Sequence, residues 1–543
     1  MGYLINITAL DVLIVVIYMV AVLGIGVYFG SKVKSHGEFF VASKKLPWWV
    51  CALAFTTVLI SAHDIVSYSQ TGFEAGFVAY ETYLDDLGFG LLFVAVGIPI
   101  YYLSGVYTIP EFMERRFDKK TRIASSIAEL LFMLALMSFN AYSIGYVLHA
   151  IWGLNILVGV LIISLATAIY TTLGGMMSVM VTDTIQSVFI LAGGLYIIFA
   201  GVHAAGGIDT MVTHLPTGHR SLFTDLFDPN YPQLGMFFGG AFAITAAWYF
   251  AHQGNVQKIL AARTMNQARV VTIVFFAVLM PVGVFFTGTP GIILRSLVEQ
   301  GIAAAPADTG DAFIALVGII SKPGITGVIL AFLMAAMMST GSTYINSCST
   351  VFVNDIFLQI SKKKRTDRQI LSIARITSTI IALVIPFIFV RYFMGIDSLM
   401  AAFYSITSAV MPGVCFAVIF GIFTKKFHSN TAFLTIIFSV AGCMLAVFIP
   451  DVFLKPFTFG LYGTPGCSWF NAAAATGWSI AGLIIGQILW HKQEKPDDAY
   501  YGLVFYAQKP SKLNDLYWEA IKKGYKGYIE LSDAEIKEIV ERN

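Results

Sequence analysis

Charge is scarce: charged side chains make up 12% of this 543-residue chain, against 57% hydrophobic, and mean hydropathy is +0.76. A soluble domain carries about 25% charged residues, so a water-soluble globule is excluded. The charge that remains is balanced, with a net +2, and no basic patch suits nucleic acid. Cysteine is equally sparse, at five residues. Cys51, Cys348, Cys415 and Cys443 fall in apolar runs and Cys467 in a loop, so neither a disulfide framework nor a zinc spacing is present. They read as small packing residues. Phosphate-loop, kinase and metal motifs are missing, and no nucleophile–base constellation stands out, so an enzyme is not expected and neither is a cofactor.

Long apolar runs are what the chain has instead. A helical span needs about 20 mainly apolar residues, which predicts about thirteen spans. They lie near 9–30, 47–72, 77–106, 123–151, 155–173, 177–201, 235–259, 269–298, 324–358, 370–393, 397–422, 430–450 and 472–490. The first is too long for a signal h-region and lacks basic residues before it and a cleavage site after it, so no cleavable signal is expected. Basic residues gather on alternate loops: Lys32, Lys34, Lys44 and Lys45; Arg115, Arg116, Lys119, Lys120 and Arg122; Arg263 and Arg269; Lys362 to Arg365 with Arg368; Lys425 and Lys426. The other loops hold little beyond Arg220, Lys322, Arg391 and Lys455. The positive-inside rule therefore puts the N-terminus outside and the C-terminus in the cytoplasm of a plasma-membrane protein.

Two long outer segments, 202–234 and 299–323, form either lids or passive connectors. Residues 491–543 turn polar and form a cytoplasmic tail. There Ser532 and Glu535 make a capping box, with Leu531 and Ile536 as its staple, predicting a helix over 533–542. Gly24, Gly26 and Gly30 lie inside a span with no strand before them, so they are not a dinucleotide fingerprint. Gly482 and Gly486 have the GxxxG spacing of close helix packing, with dimerisation as the alternative.

Polar residues at bilayer depth carry the functional signal. His63, Asp64, Glu81, Asp85, Asp86, Glu129, His149, Asp183 and His252 fall in predicted spans, where a charge costs about 2.5–3.5 kcal/mol at the centre. His149 and Asp183 lie near span ends, where they can also reach the interface. His63-Asp64 interrupts the second span, and Trp248-Tyr-Phe-Ala-His-Gln-Gly254 repeats the pattern five spans later. Paired interruptions of this kind are what an inverted repeat with two broken helices produces. The run Ala335-Ala-Met-Met-Ser-Thr-Gly-Ser-Thr-Tyr-Ile-Asn-Ser347 bunches Ser339, Thr340, Ser342 and Thr343 within about one helical turn. Each hydroxyl can bond back to the preceding turn, or they can converge on a hard cation such as sodium.

At these residues the chain resembles the sodium/solute symporter family, which includes sodium–galactose, sodium–proline and sodium–sialic acid transporters. The resemblance runs through Lys45-Leu-Pro-Trp-Trp49, Tyr107-Thr-Ile-Pro-Glu-Phe-Met-Glu-Arg-Arg-Phe117, Tyr170-Thr-Thr-Leu-Gly-Gly175, Val181-Thr-Asp-Thr-Ile-Gln186 and the hydroxyl run. It extends from residue 9 to about 450 and leaves the tail uncovered. It implies an all-α polytopic protein with a LeuT-type core of two inverted five-helix repeats, 47–201 and 235–422. Residues 1–46 precede that core, 202–234 join its halves, and 423–490 add two spans.

The resemblance also implies a main sodium site of Thr57, Ile60, Ala336, Ser339 and Thr340. A second site, present in some members, would take Asp183, Ser339, Ser342 and Thr343. The substrate positions become His63, Asp64, Tyr83, Thr245, Leu279, Trp248, Tyr249 and Tyr404. Leu279 would serve sugar hydroxyls poorly, since an unmet buried partner is heavily penalised, so a hexose is not expected. The expected partners are sodium, a small organic solute and the lipid bilayer. Two other readings stay open: a solute sensor that signals through its tail, and coupling to protons through His63 or Asp64.

Overall fold

The computed structural model describes residues 7–42, 46–81, 86–237, 245–361, 363, 365–394, 399–500 and 502–505. Tyr83, Asp85 and the proposed 533–542 helix lie outside them, as does the side chain of Tyr404. Among the described residues helices predominate and no strand is present; one isolated parallel bridge joins Leu46 to Ala262. Among the described residues eight helices are long and apolar enough to cross a bilayer, or nine if the bent pair Trp48–Thr57 and Ala62–Tyr80 counts as one. This is fewer than the thirteen spans expected, for two reasons. Ile156–Ala204 forms one 49-residue helix, which at 1.5 Å per residue is about 74 Å long, over twice the hydrocarbon thickness. It bends at Gly175 (φ 51°, ψ −140°), where a side chain would lie 2.4 Å from the Phe39 carbonyl oxygen, so two crossings run on as one element. The predicted spans at 77–106, 235–259 and 397–422 run over residues or side chains outside the description.

Two stretches of the chain repeat the same order of parts. Each begins with a broken helix: Trp48–Leu59 with Ala62–Ala75, and Ala246–Phe250 with Gln253–Leu260. Each continues into a helix with a widened π turn, Phe93–Gly97 and Phe275–Leu279. The cause is shared. Phe93-Val-Ala-Val-Gly-Ile-Pro99 and Phe275-Phe-Ala-Val-Leu-Met-Pro281 both end in proline, which has no N–H for the carbonyl four residues back. A short helix follows in each, Ile109–Arg116 and Ala312–Ile320, and then a long one, Lys119–Trp152 and Ile325–Val351.

Packing puts the second of those long helices at the centre. In its most apolar window 89% of residues are buried, against 22% for Ala9–Gly30, whose Leu13, Val16, Ile17 and Val20 face outward. Ala9–Gly30 leans on Ile156–Ala204 through its glycines. A methyl at Gly26 would sit 2.5 Å from the Tyr170 side chain, and one at Gly30 would meet Ser178 at 2.9 Å. Asp11 accepts from the Gly324 and Gly327 N–H groups at 2.8 and 2.7 Å, capping the start of the central helix. Gly482 and Gly486 face Phe438 and Thr431 of Ser429–Phe448, so this GxxxG pair packs within the chain. The start of the tail docks on the body: Lys495 donates to the Arg116 carbonyl at 3.3 Å, Arg116 covers the Tyr500 ring, and Phe505 N–H donates to Ile422 at 2.9 Å.

Candidate functional site

The first break falls at Ile60 (φ −114°, ψ 77°) and is made by local chemistry. Ser61 and Asp64 form a capping box that starts the second half-helix. The Ser61 hydroxyl accepts from Asp64 N–H at 3.2 Å, and the Asp64 carboxylate accepts from Ser61 N–H at 3.0 Å and from its hydroxyl. A cap that begins a new helix strands the last carbonyls of the old one. Those carbonyls meet the hydroxyl run: Thr340 Oγ1 donates to the Thr57 carbonyl at 3.2 Å. Ser339 Oγ donates to the Ala336 carbonyl at 3.1 Å, and Thr57 Oγ1 to Ala54 at 2.9 Å. Thr57, Ile60, Ala336, Ser339 and Thr340 are all buried. The structure thus brings Thr57, Ala336, Ser339 and Thr340 together and sets Ile60 at the break, an oxygen-lined junction suited to a hard cation.

The second set of expected sodium ligands also meets, with an addition that sequence reading missed. Ser342 Oγ lies 3.4 Å from Asp183 Oδ1, and the Ser342 and Thr343 hydroxyls donate to the Ser339 carbonyl at 2.9 and 2.8 Å. Asp183 Oδ2, however, is 2.7 Å from the Lys258 ammonium, and both side chains are fully buried. Lys258 also donates to the Ala54 carbonyl at 2.8 Å and to Thr57 Oγ1 at 3.3 Å. Asp183 is therefore a buried ion-pair partner rather than a surface side chain. Lys258 was legible as an ionisable residue within a span. It stands one residue before the predicted span end, where a lysine ordinarily reaches the interface.

The second break lies at Ala251 and His252, and the His252 side chain caps the inner half-helix by accepting from Asn255 N–H at 3.1 Å. Here Trp248 stacks on His252 at 4.5 Å, while Asn255 holds the Trp248 carbonyl at 2.8 Å. Tyr249 packs against Phe276 and Phe93 at 5.2 and 6.2 Å, so both π turns aim a ring at it. Thr245 and Leu279 are buried nearby in sequence to these rings. On the first break, His63 shares a hydrogen bond with Ser61 Oγ (2.6 Å), lies 3.3 Å from Asp64 and tilts against Phe139. Asp64 is thus committed to the cap as well as to His63, a role its position three residues after Ser61 could have revealed.

The two ends of this region differ. On the basic side the inner half of the second broken helix is tied down. Gln253 accepts from Ile109 N–H at 2.9 Å and donates to the Tyr107 carbonyl at 3.0 Å. Gln257 donates to Thr350 at 3.0 Å and to the Phe40 carbonyl, and accepts from Ser347 at 2.9 Å. Arg122 clasps Asp355 at 2.6 Å. On the other side lies a cavity of about 750 Å³, lined by Gln70 and Glu74 of the first broken helix, His219, Asp225 and Asp228 of segment 202–234, and Trp469. Glu74 accepts hydrogen bonds from Tyr231 of that segment and from Thr309 of the other long segment. Burial, with Arg295 behind it, holds His219 below the ordinary histidine range, so it adds no charge to the acidic lining at neutral pH.

Two broken helices, the first meeting the central helix at a buried oxygen junction, with one face closed and the other hollow, define a membrane carrier. The sodium:solute symporter family model matches residues 39–439, and the chain belongs to that family. It is 27% identical over 471 residues to a sodium/glucose cotransporter of Vibrio parahaemolyticus, covering 81% of this chain and 86% of the relative. Against sodium/glucose cotransporter 1 of Mus musculus it is 27% identical over 466 residues, 78% of this chain and 69% of the relative. In fold it is similar to a Na⁺-coupled sialic acid symporter solved in a substrate-bound outward-open state (TM-score 0.75, 22% identity, 90% of this chain and 100% of the other). Mhp1, a nucleobase-cation-symport-1 family transporter in a closed conformation, aligns at TM-score 0.51 and 11% identity over 83% of this chain and 94% of its own. The fold is LeuT-type, and the family supports sodium-coupled symport rather than enzyme chemistry.

Proposed function

We propose that the chain imports a small organic solute with sodium by alternating access across the plasma membrane, its N-terminus outside and its C-terminus in the cytoplasm. The observation that carries this reading is the junction of the first break with the central helix, where Thr340 reaches the Thr57 carbonyl at 3.2 Å. Sodium entering there replaces that hydrogen bond, drawing on the Thr57, Ile60 and Ala336 carbonyls and the Ser339 and Thr340 hydroxyls. The matching order of parts in 47–201 and 235–422 supports two repeats of opposite orientation, which rock about this junction. The tied face holds the inner gate and the 750 Å³ cavity is the outer vestibule, as expected for a form that loads from outside.

His63, Asp64, Thr245, Trp248 and Tyr249, with Tyr83 and Tyr404, are the solute-facing positions. Tyr249 among Phe93 and Phe276, with Leu279 beside them in the chain, makes an apolar, aromatic wall. Such a wall favours a solute with an apolar or aromatic part over a hexose, although the relatives named above are glucose cotransporters. Each sodium falling through 100 mV contributes about 2.3 kcal/mol, or about fiftyfold accumulation of a neutral solute at 1.4 kcal/mol per decade.

The test is thermal unfolding of the purified protein in sodium and in choline. A cation bound only by the folded form raises the midpoint by mass action. The wild type gains stability in sodium and the Ser339→Ala, Thr340→Ala double variant does not; equal midpoints for the wild type in both salts would remove the site.

A further inference from the structure

The second cation position in this protein is already filled by part of the chain. An ammonium offers three donors, and Lys258 Nζ has three acceptors: Asp183 Oδ2 at 2.7 Å, the Ala54 carbonyl at 2.8 Å and Thr57 Oγ1 at 3.3 Å. Neither the lysine nor the aspartate side chain is exposed. The carboxylate that would anchor a second sodium therefore has its charge balanced at contact distance. In this buried setting a sodium ion brought to the same carboxylate would meet the full repulsion of the ammonium, weakly screened. Of the other ligands expected there, Ser342 and Thr343 lie against the Ser339 carbonyl, and Ser342 Oγ is also 3.4 Å from Asp183 Oδ1.

We propose that Lys258 is a tethered cation that takes the place of a second sodium ion at Asp183, so that the protein binds one sodium per cycle. This rests on the proposed sodium symport and sharpens its stoichiometry. The placement has a second consequence. Lys258 sits on Gln253–Leu260, the half-helix that Gln253 and Gln257 tie to the closed face, and its ammonium touches Thr57, whose carbonyl belongs to the main sodium junction. Swinging that half-helix outward to open the inner gate draws the ammonium away from Asp183 and Thr57 together. Opening thereby loosens the main junction and favours sodium release.

Equilibrium binding of radiolabelled sodium to the purified full-length protein tests the proposal without knowledge of the solute. The wild type is expected to saturate at one sodium per chain. Lys258→Met frees Asp183 and raises the value to two, and adding Asp183→Asn returns it to one. If Lys258→Met alone does not fold, the wild type and the charge-free double variant decide between them. Two sodium ions on the wild type, one on folded Lys258→Met, or none on the double variant would each overturn the tethered cation. No sodium on the wild type would instead remove the proposed symport itself, a distinct result.

Discussion

The two broken helices use one device in opposite ways. At the first break the side chains look after themselves: Ser61 and Asp64 cap each other, His63 leans on both, and the freed carbonyls point to the central helix. At the second break His252 supplies a local cap, but the polar side chains beyond it reach elsewhere. Gln253, Gln257 and Lys258 bond to segment 107–109, to Phe40 and the central helix, and to Asp183 with the first broken helix. On the proposed function, the first break leaves backbone oxygens available to an ion, whereas the outward-bonded half-helix of the second works as a latch. The same interruption of a helix can therefore make a binding site or a gate, depending on where its polar side chains are spent.

That contrast can be broken at its strongest link. Asp183→Asn leaves a buried ammonium without its partner, and removing one member of a buried pair costs about 3–5 kcal/mol. The variant should unfold at markedly lower temperature, and Lys258→Met added to it should recover most of the loss; equal stability of Asp183→Asn and wild type would deny the latch its ion pair. Next in size, Ser339→Ala or Thr340→Ala each deletes an oxygen of the proposed sodium site. A hydrogen-bonding group to a charge contributes about 1.5–3 kcal/mol, so half-saturating sodium for uptake should rise by roughly tenfold or more. Unchanged sodium dependence in both variants would move the ion site elsewhere.

Gln253→Ala removes two neutral bonds of the latch, each about 0.5–1.5 kcal/mol. Labelling of an engineered cysteine at Thr350 from the cytoplasmic side should speed up several-fold, whereas Ser61→Ala should leave that labelling rate alone. Smallest of all, Ser61→Ala costs the half-helix its cap, about 1 kcal/mol of stability, and Ser61→Gly only a few tenths. A Ser61→Gly variant as unstable as Ser61→Ala would mean that the hydroxyl does more than cap.

Part of the proposed sodium junction can be picked out in the sequence because hydrocarbon makes every polar side chain conspicuous, and the resemblance supplies the rest. Ser339, Thr340 and Asp183 lie inside predicted spans, and the structure brings Thr340 to Thr57, and Asp183 to Ser342. Lys258 was not singled out, since a lysine at a span edge ordinarily reaches for lipid headgroups, and only tertiary packing turns it to Asp183. Asp64 was read as a solute contact although its spacing from Ser61 spells a cap. The repeated π turns were hidden for a different reason: a proline inside an apolar run signals strain without saying how the backbone absorbs it. Solute positions are the least legible, because rings from both repeats face Tyr249 and no local spacing encodes that meeting.

Accumulation in proteoliposomes tests the central claim most directly. A thermal-shift screen first finds a solute that stabilises the purified protein, and its uptake is then measured against an inward sodium gradient and against choline at equal ionic strength. The account predicts concentrative uptake in sodium and only equilibration in choline. Equal accumulation in the two salts would contradict it.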